Sequence, residues 1–239
     1  LLGKFFNHIN HPYEIFIPDR LSDGYGPTIK SFDKIINKKI KLIITVDCGV
    51  NAFEAIDYAN KKKIDVIVFD HHQSEVNLPK AKAIVNPNRL DCKSNLNYLC
   101  ATGVTFLFLV ALNSYLLKNK FFEMANINSV NLIDYLDLVC LGTICDVVPL
   151  VKFNRSIVRQ GLHMMKQKKN AGIKSLFEIA NINQPPNTYQ IAFQIGPRIN
   201  AGGRVGKSYY GTKLLLTENY EKALQISNEL DRYNSQRQD

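Results

Sequence analysis

The chain has 239 residues, of which 46% are hydrophobic and 21% are charged, and these fractions exclude a disordered or low-complexity chain. Thirty basic against 21 acidic residues give a formal net charge of +9, which favours a polyanionic partner such as nucleic acid, although a solvated basic surface explains it equally well. Five cysteines without a CxxC pair indicate free thiols in a reducing cytosol, and the sequence shows neither a signal peptide nor an uninterrupted membrane-length apolar run.

Short apolar runs and helical patterns alternate over the first 90 residues. Prolines and glycines mark a loop at residues 18–27. Thr28 and Asn51 are predicted helix N-caps, the second with Glu54 as its capping-box partner. The predicted elements are a helix end at residues 1–7, strands at 13–17, 42–47, 66–70 and 83–87, and helices at 28–37 and 51–62.

The fold class follows from this alternation. Continuously apolar strands separated by helices of about ten residues predict an α/β fold, in which a parallel sheet has helices on both faces. After residue 88 the pattern is helical, and residues 99–117 predict a buried helix because polar residues interrupt them. Further helices are predicted at residues 130–141, 154–168, 172–180, 209–216 and 220–237. We therefore expect an α/β domain at residues 1–150 and a helical part of the same core at residues 151–218.

Acidic residues and histidines follow two neighbouring predicted strands. Asp47 ends one apolar run, and Asp70-His71-His72 ends the next. Ligands of open parallel sheets bind at the carboxyl ends of the strands, so we expect these side chains to meet there and form a metal site. A lone aspartate after a strand is also typical of a turn or helix cap, and Asp47 retains that alternative. Adjacent imidazoles beside a carboxylate are harder to explain by structure alone.

A further acid, Asp146, lies in the apolar segment 141–150. An unpaired buried carboxylate costs several kcal/mol, so this residue needs a metal ion or an arginine as its partner. Carboxylates with imidazole suit Mn²⁺ or Mg²⁺ better than Zn²⁺, which usually takes more histidine or cysteine ligands.

The segment Gly196–Arg204 combines small residues with two arginines and an asparagine. Small residues let a backbone approach a ligand closely, and Arg198 and Arg204 can each fork onto phosphate oxygens. We interpret it as a glycine-rich turn that binds phosphate. The lysine runs at residues 38–39, 61–63 and 166–169 fall at predicted helix ends, where solvated charges that complement the helix dipole explain them better than a phosphate track.

Together these segments resemble the DHH phosphoesterase superfamily and, within it, the RecJ family of bacterial single-strand exonucleases. The Asp70-His71-His72 triplet marks the superfamily. The loop Asp23-Gly24-Tyr25-Gly26 and the segment at residues 196–204 point to the RecJ family. The other matching segments are residues 17–20, 45–49 and 146–150.

The resemblance implies a hydrolase with two Mn²⁺ or Mg²⁺ ions that degrades single-stranded DNA from 5′ to 3′ in DNA repair and recombination. By position, Asp47 would bridge both ions, and His71 and Asp146 would bind one of them. His72 and Asp70 would be the catalytic pair, with His72 facing the scissile phosphate and Asp70 orienting the histidines. The residues implied to hold the DNA phosphates are Arg198, Asn200 and Arg204.

One departure from the family is that its first motif, an Asp-x-Asp pair upstream of residues 17–20, is absent from this chain, which begins at Leu1 without methionine. We therefore expect half of the two-metal site to lie outside the chain and predict that the chain by itself is inactive. Residues 219–239 resemble the start of the helix that connects the family's two core domains. The resemblance also implies a cytoplasmic enzyme that works with a single-strand-binding protein and a helicase, and no membrane partner.

Two alternatives remain open. The first is a superfamily member that acts on small substrates, such as a dinucleotide phosphodiesterase or a pyrophosphatase, which the arginine-containing segment disfavours. The second is a non-catalytic DNA-binding scaffold, which would have no reason to retain Asp47, His71, His72 and Asp146 together.

Overall fold

A computed structural model describes residues 1–19, 23–24, 26–36 and 40–236. The predicted loop residues 20–22 and 25, which include part of the DGYG motif, and the lysine pair at residues 38–39 lie outside this range. The α-helices are α1 (Leu2–His8), α2 (Ile29–Ile36), α3 (Phe53–Lys61), α4 (Ala101–Lys118), α5 (Phe121–Met124), α6 (Leu136–Cys145), α7 (Lys152–Lys166), α8 (Ala171–Ile179), α9 (Thr188–Gln190), α10 (Gly196–Ala201), α11 (Tyr209–Leu216) and α12 (Tyr220–Ser235).

Three parallel strands, β1 (Leu42–Val46), β2 (Asp65–Phe69) and β3 (Ala83–Val85), form a sheet in the order β1-β2-β3. Val46 pairs with Phe69, and Phe69 pairs with Val85, so the three strands end in register. The register places the residues that follow β1, β2 and β3 side by side at one edge, as the sequence predicts.

Helices cover both faces of the sheet because alternate strand residues point to opposite sides. On one side, Val66 and Val68 pack with Phe32 of α2 and Ile56 of α3. On the other side, Phe69 packs against α4, with its ring centroid 4.6 Å from that of Phe108. The predicted α/β class with helices on both faces is confirmed.

The helical half has its own large core, to which α6 contributes Cys140 and Ile144. These side chains pack with fully buried residues from later helices, including Leu176 and Leu230. Helix α6 therefore joins the sheet half to the helices that follow residue 150. The division of the chain into residues 1–150, 151–218 and 219–239 remains a prediction.

Helix α4 is long and apolar enough to cross a membrane, judged by length and composition only. Its first half is nevertheless buried inside the protein, with Val104 and Leu109 almost without exposed surface. The buried helix predicted at residues 99–117 is therefore confirmed only in its first half. Residues 110–118 are half-buried or exposed, and Tyr115 is 64% exposed.

Two local predictions were wrong. Residues 13–17 are not a strand, since no described strand pairs with them and their backbone has no regular structure. Asn51 does not cap α3, whose N-cap is Ala52 without a side-chain hydrogen bond. The Asn51 side chain instead bonds the loop after the histidines. Thr28 is a cap as predicted, because its Oγ1 accepts the Ser31 N–H at 3.0 Å.

Candidate metal centre

The turn after β1 is tight and places Asp47 at the end of the sheet. Asp47 has a left-handed backbone with φ of +62°, and its N–H donates to the Phe69 carbonyl at 2.9 Å. Gly49 has φ of +109°, and a Cβ there would lie 2.6 Å from Thr45 Oγ1. Only glycine fits this second position without strain, so the turn holds the aspartate beside the end of β2.

Asp70 is the hydrogen-bonding centre of the site and is only 1% exposed. Its Oδ2 accepts the Val50 N–H at 2.9 Å, and its Oδ1 accepts the His71 N–H at 2.8 Å. Oδ1 also lies 2.6 Å from His72 Nδ1. Burial by itself raises the pKa of Asp70, but the hydrogen bonds from Val50, His72 and His71 outweigh it, and the net pKa is below the ordinary value. The ionised carboxylate only accepts, so His72 Nδ1 carries the proton and its Nε2 is left as the free nitrogen.

Two carboxylates converge on the ring of His71. Nε2 of His71 lies 3.2 Å from Asp47 Oδ1 and 3.4 Å from Asp146 Oδ2. The hydrogen bond to Asp47 raises the pKa of His71, with burial opposing it and the charge of Asp146 adding to it. Burial raises the pKa of Asp146, and the nearby His71 opposes that shift. The structure therefore brings together the three predicted metal ligands. Asp47 follows β1, His71 follows β2, and Asp146 lies at the end of α6.

This donor set fits a divalent cation. The expectation that Asp146 is buried was wrong: its side chain is 34% exposed and that of Asp47 is 60% exposed, so water can solvate both carboxylates. Two carboxylate oxygens within 3.4 Å of one imidazole nitrogen nevertheless form a set of oxygen and nitrogen donors that a divalent cation can share. Ligand atoms of Asp47, His71 and His72 also lie within 4.8 Å of one another. Oxygen-rich sites with imidazole are typical of Mn²⁺ and Mg²⁺. His72 thus belongs to the same donor cluster, in addition to its predicted position facing the phosphate.

Asparagines that sequence reasoning missed fix the histidine loop through its backbone. Asn86 donates to the His72 carbonyl at 2.8 Å, and Asn88 donates to the His71 carbonyl. Asn51 clamps the continuing loop, since its amide donates to the Gln73 carbonyl and accepts the Glu75 N–H, each at 3.2 Å. The signal for the first two was the Asn-Pro-Asn that follows β3 at the same sheet edge.

The predicted glycine-rich turn at residues 196–204 is wrong, because the segment is helical. It continues α9 through a π-helical turn at Ile191–Ile195 into α10, and ends in a 3-10 turn at Gly202–Arg204. Pro197 lacks an N–H and its ring clashes with the carbonyl four residues earlier in a regular helix. The wider π turn just upstream relieves this conflict.

The three predicted phosphate-binding residues differ in their exposure to solvent. Arg198 is mostly buried and donates to Asp231 Oδ1 at 2.8 Å and to the Gln194 carbonyl at 2.7 Å. Asn200 and Arg204 are exposed. The segment begins beside the end of α6, since a Cβ on Gly196 would lie 2.9 Å from the Sγ of Cys145, the residue before Asp146. The role of all three in binding DNA remains a prediction.

Comparison with known proteins agrees with this arrangement. Residues 1–143 match the family described as "DHH family, N-terminal domain". The chain therefore belongs to the DHH family, a class that the sheet edge with Asp70-His71-His72 already indicated.

The curated proteins that the chain matches include RecJ exonucleases of two bacteria. The chain is 39% identical over 228 residues to the single-stranded-DNA-specific exonuclease RecJ of Escherichia coli (strain K12), a match that covers 95% of this chain and 40% of that protein. It is 34% identical over 227 residues to RecJ of Bacillus subtilis (strain 168), covering 94% of this chain and 27% of that one. The chain thus spans less than half the length of these relatives.

Solved structures show the same likeness in three dimensions. A crystal structure of exonuclease RecJ bound to manganese superposes with a TM-score of 0.83 and 31% identity, covering 99% of this chain and 57% of that one. RecJ from Thermus thermophilus in complex with Mn²⁺ gives a TM-score of 0.72 at 30% identity, over 88% of this chain and 30% of that chain. The fold of the described residues is therefore that of a RecJ core.

Proposed function

We propose that this chain is the metal-binding part of an exonuclease that hydrolyses single-stranded DNA. The observation that carries the proposal is the convergence of Asp47 and Asp146 on His71 Nε2, at 3.2 and 3.4 Å, at the carboxyl edge of the sheet. The similarity to RecJ proteins named as single-stranded-DNA-specific exonucleases supports the substrate class. Their solved relatives bound to Mn²⁺ or Mg²⁺ support the choice of ion.

Asp47, His71 and Asp146 would hold the ion, and His72 Nε2 is available beside them. A bound divalent ion would polarise the phosphoryl group and generate a nucleophilic water near neutral pH. Asp70 keeps His72 in the tautomer with Nδ1 protonated, because its carboxylate accepts from Nδ1 at 2.6 Å. Nε2 is therefore an acceptor or ligand in the neutral ring. The role of His72 opposite the scissile phosphate is part of the proposal.

The substrate would extend from this edge along α10. Gly196 packs on Cys145, the residue before Asp146, and the exposed Asn200 and Arg204 follow on α10 and the 3-10 turn after it. Arg204 can bind a phosphate directly, whereas Arg198 first serves to fix α10 to Asp231 of α12. We propose 5′→3′ polarity, a cytoplasmic role in repair and recombination, and cooperation with a single-strand-binding protein and a helicase, all on the basis of the family resemblance.

Nuclease assays on the chain, together with whatever sequence flanks it in its gene, test the proposal. With Mn²⁺, we expect mononucleotides to be released from the 5′ end of a single strand, and little cleavage of duplex DNA or of a dinucleotide. Asp47→Asn should abolish this release. Asp65→Asn is the matched control, since Asp65 is an exposed carboxylate at the opposite end of β2.

The assay separates the alternatives. A preference for the dinucleotide would replace the proposal with a small-substrate phosphodiesterase. Retained DNA binding without hydrolysis in the native protein would indicate a scaffold. Equal cleavage by native protein and the Asp47→Asn variant would contradict the metal-site assignment itself.

A further inference from the structure

The helix that leads into α10 carries an exposed pair of aromatic rings, tilted against each other. Tyr189 and Phe193 are 63% and 66% exposed, and their ring centroids are 4.9 Å apart with an interplanar angle of 39°. On the same helix, Ile191 and Ile195 have no exposed surface and lie in the large helical core. The orientation of the helix is therefore fixed by its isoleucines, and the two aromatic rings are held outward together.

The aromatic pair precedes the start of α10 on the same helical segment. Phe193 stands three residues before Gly196, the first residue of α10. Gly196 in turn packs on Cys145, the neighbour of Asp146. On the other side of Gly196, the same helix runs on to the exposed Arg204. An apolar π surface and a guanidinium group are thus carried by one helical segment, which packs at Gly196 against the end of α6.

We infer that Tyr189 and Phe193 form a stacking platform for the bases of a single strand whose phosphates contact the α10 segment. This inference rests on the proposed function and adds to it a base-binding subsite. Bases stack on aromatic rings regardless of sequence, and a single strand offers its unpaired bases for such contacts. A nucleotide presents a π face and a phosphate together, which matches the paired chemistry of this helix. The exposed Arg204, eleven residues after Phe193 on the same helical segment, can bind a phosphate further along the same strand.

The platform also suits discrimination against duplex DNA. In a duplex, bases are stacked on each other and their faces are not accessible to a side chain. A protein ring that gains affinity only from a free base face favours single strands without reading sequence. The platform would thus supply part of the substrate class proposed above.

Fluorescence anisotropy with two labelled single strands tests the inference. One strand carries normal bases, and the other is abasic throughout, so that it keeps the phosphates but lacks the rings. Both carry phosphorothioate linkages to prevent hydrolysis, and Mn²⁺ is present. The native protein, with the sequence that flanks the chain in its gene, should bind the normal strand more tightly, by roughly 5- to 150-fold for each base stacked.

Phe193→Ala should remove most of this difference while leaving the affinity for the abasic strand unchanged. Phe193→Trp should restore the preference, because a larger ring still stacks. Tyr115→Ala is the matched control, since Tyr115 is 64% exposed on α4 and lies on a different element. Thermal unfolding of each variant, followed by circular dichroism, checks that the fold is intact.

Each outcome decides the inference. Equal affinity of native protein and Phe193→Ala for the normal strand would overturn the platform alone and leave the nuclease proposal standing. Failure of the native protein to bind any single strand would overturn both. A change in sedimentation mass upon Phe193→Ala, with unchanged DNA affinity, would show that the rings contact a second copy of the chain and would also overturn the inference.

Discussion

The sheet edge and the α10 segment hold their functional side chains in different ways. At the sheet edge, Asp70 alone accepts hydrogen bonds from Val50, His71 and His72, and both histidine carbonyls are bonded by asparagines. Along α10 and the 3-10 turn after it, Arg198 is fixed by an ion pair, whereas Asn200 and Arg204 are exposed to solvent.

This difference matches the two proposed tasks. A metal ion demands ligands held within a fraction of an ångström, and the hydrogen bonds around His71 and His72 provide that support. A flexible single strand tolerates long, mobile side chains, because charge attraction to phosphates depends weakly on geometry. Substitutions at the sheet edge should therefore have large effects, and substitutions along α10 small ones.

The largest effect is expected for Asp47→Asn. This change removes a charged ligand that lies 3.2 Å from His71 Nε2, so the affinity for Mn²⁺ should fall by at least about 100-fold. The fold should survive, because the Asp47 side chain is largely exposed. Isothermal titration calorimetry with Mn²⁺ measures the loss, with Asp65→Asn as the control. Similar Mn²⁺ affinity in both variants would remove Asp47 from the site.

Asp70→Asn should lower Mn²⁺ affinity by roughly 10- to 100-fold without removing a ligand, because the histidines lose the carboxylate that orients them. Folding stability should fall too. The pKa of Asp70 is lowered in the folded state, so its contribution is present above the unfolded pKa of about 3.9 and is lost as pH falls through the folded value. Urea unfolding at pH 7 and pH 3 should show a smaller pH dependence in the variant. An unchanged pH dependence would contradict this role.

The pH dependence of metal binding should follow His71. Its pKa is raised, first by the hydrogen bond to Asp47, so a proton competes with the ion at a pH above about 6.5. Mn²⁺ affinity should fall up to about tenfold per pH unit below that pKa.

Without metal, the protonated His71 ring stabilises the fold below about pH 6.5. This contribution to folding stability is lost as the pH rises through the pKa of His71 in the folded protein.

NMR titration of the His71 ring in metal-free protein measures the shift directly. In Asp47→Asn the largest cause is removed, and the midpoint should move down. A midpoint that does not move would show that Asp47 does not hold the ring.

The smallest effect is expected for Arg204→Ala. Loss of one exposed phosphate contact should weaken single-strand binding a few-fold and reduce the salt slope by about one, without changing the melting temperature. Arg198→Ala is the informative comparison, since it breaks the ion pair with Asp231 and should lower the melting temperature. Anisotropy at several salt concentrations and thermal melts measure both. Equal stability losses in the two variants would contradict the division of roles.

Local pattern predicted the sheet edge because strand ends are local features. Asp47 and Asp70-His71-His72 follow apolar runs, and parallel register alone brings them together. Asp146 could be flagged by its apolar surroundings, but its distance from His71 depends on how α6 docks, which only long-range packing determines.

In other parts of the chain, the same kinds of local sequence signal led to wrong predictions. Glycine and proline predicted a turn at residues 196–204, whereas close packing of Gly196 on Cys145 and of Gly202 on the Lys207 carbonyl requires small residues inside a helix. The Asn51 side chain could either cap α3 or bond a neighbouring loop. It bonds the loop at Gln73, because that loop lies within hydrogen-bonding distance. Residues 13–17 have strand propensity, but a strand needs a partner to bond its backbone.

The central claim is that Asp47, His71 and Asp146 bind one divalent ion together. Anomalous diffraction at the manganese edge, from crystals of the chain grown with Mn²⁺, tests it most directly. We expect a peak within coordination distance of His71 Nε2 and of a carboxylate oxygen from both aspartates. A peak that leaves His71 or either aspartate uncoordinated, or no peak at this sheet edge, would contradict it.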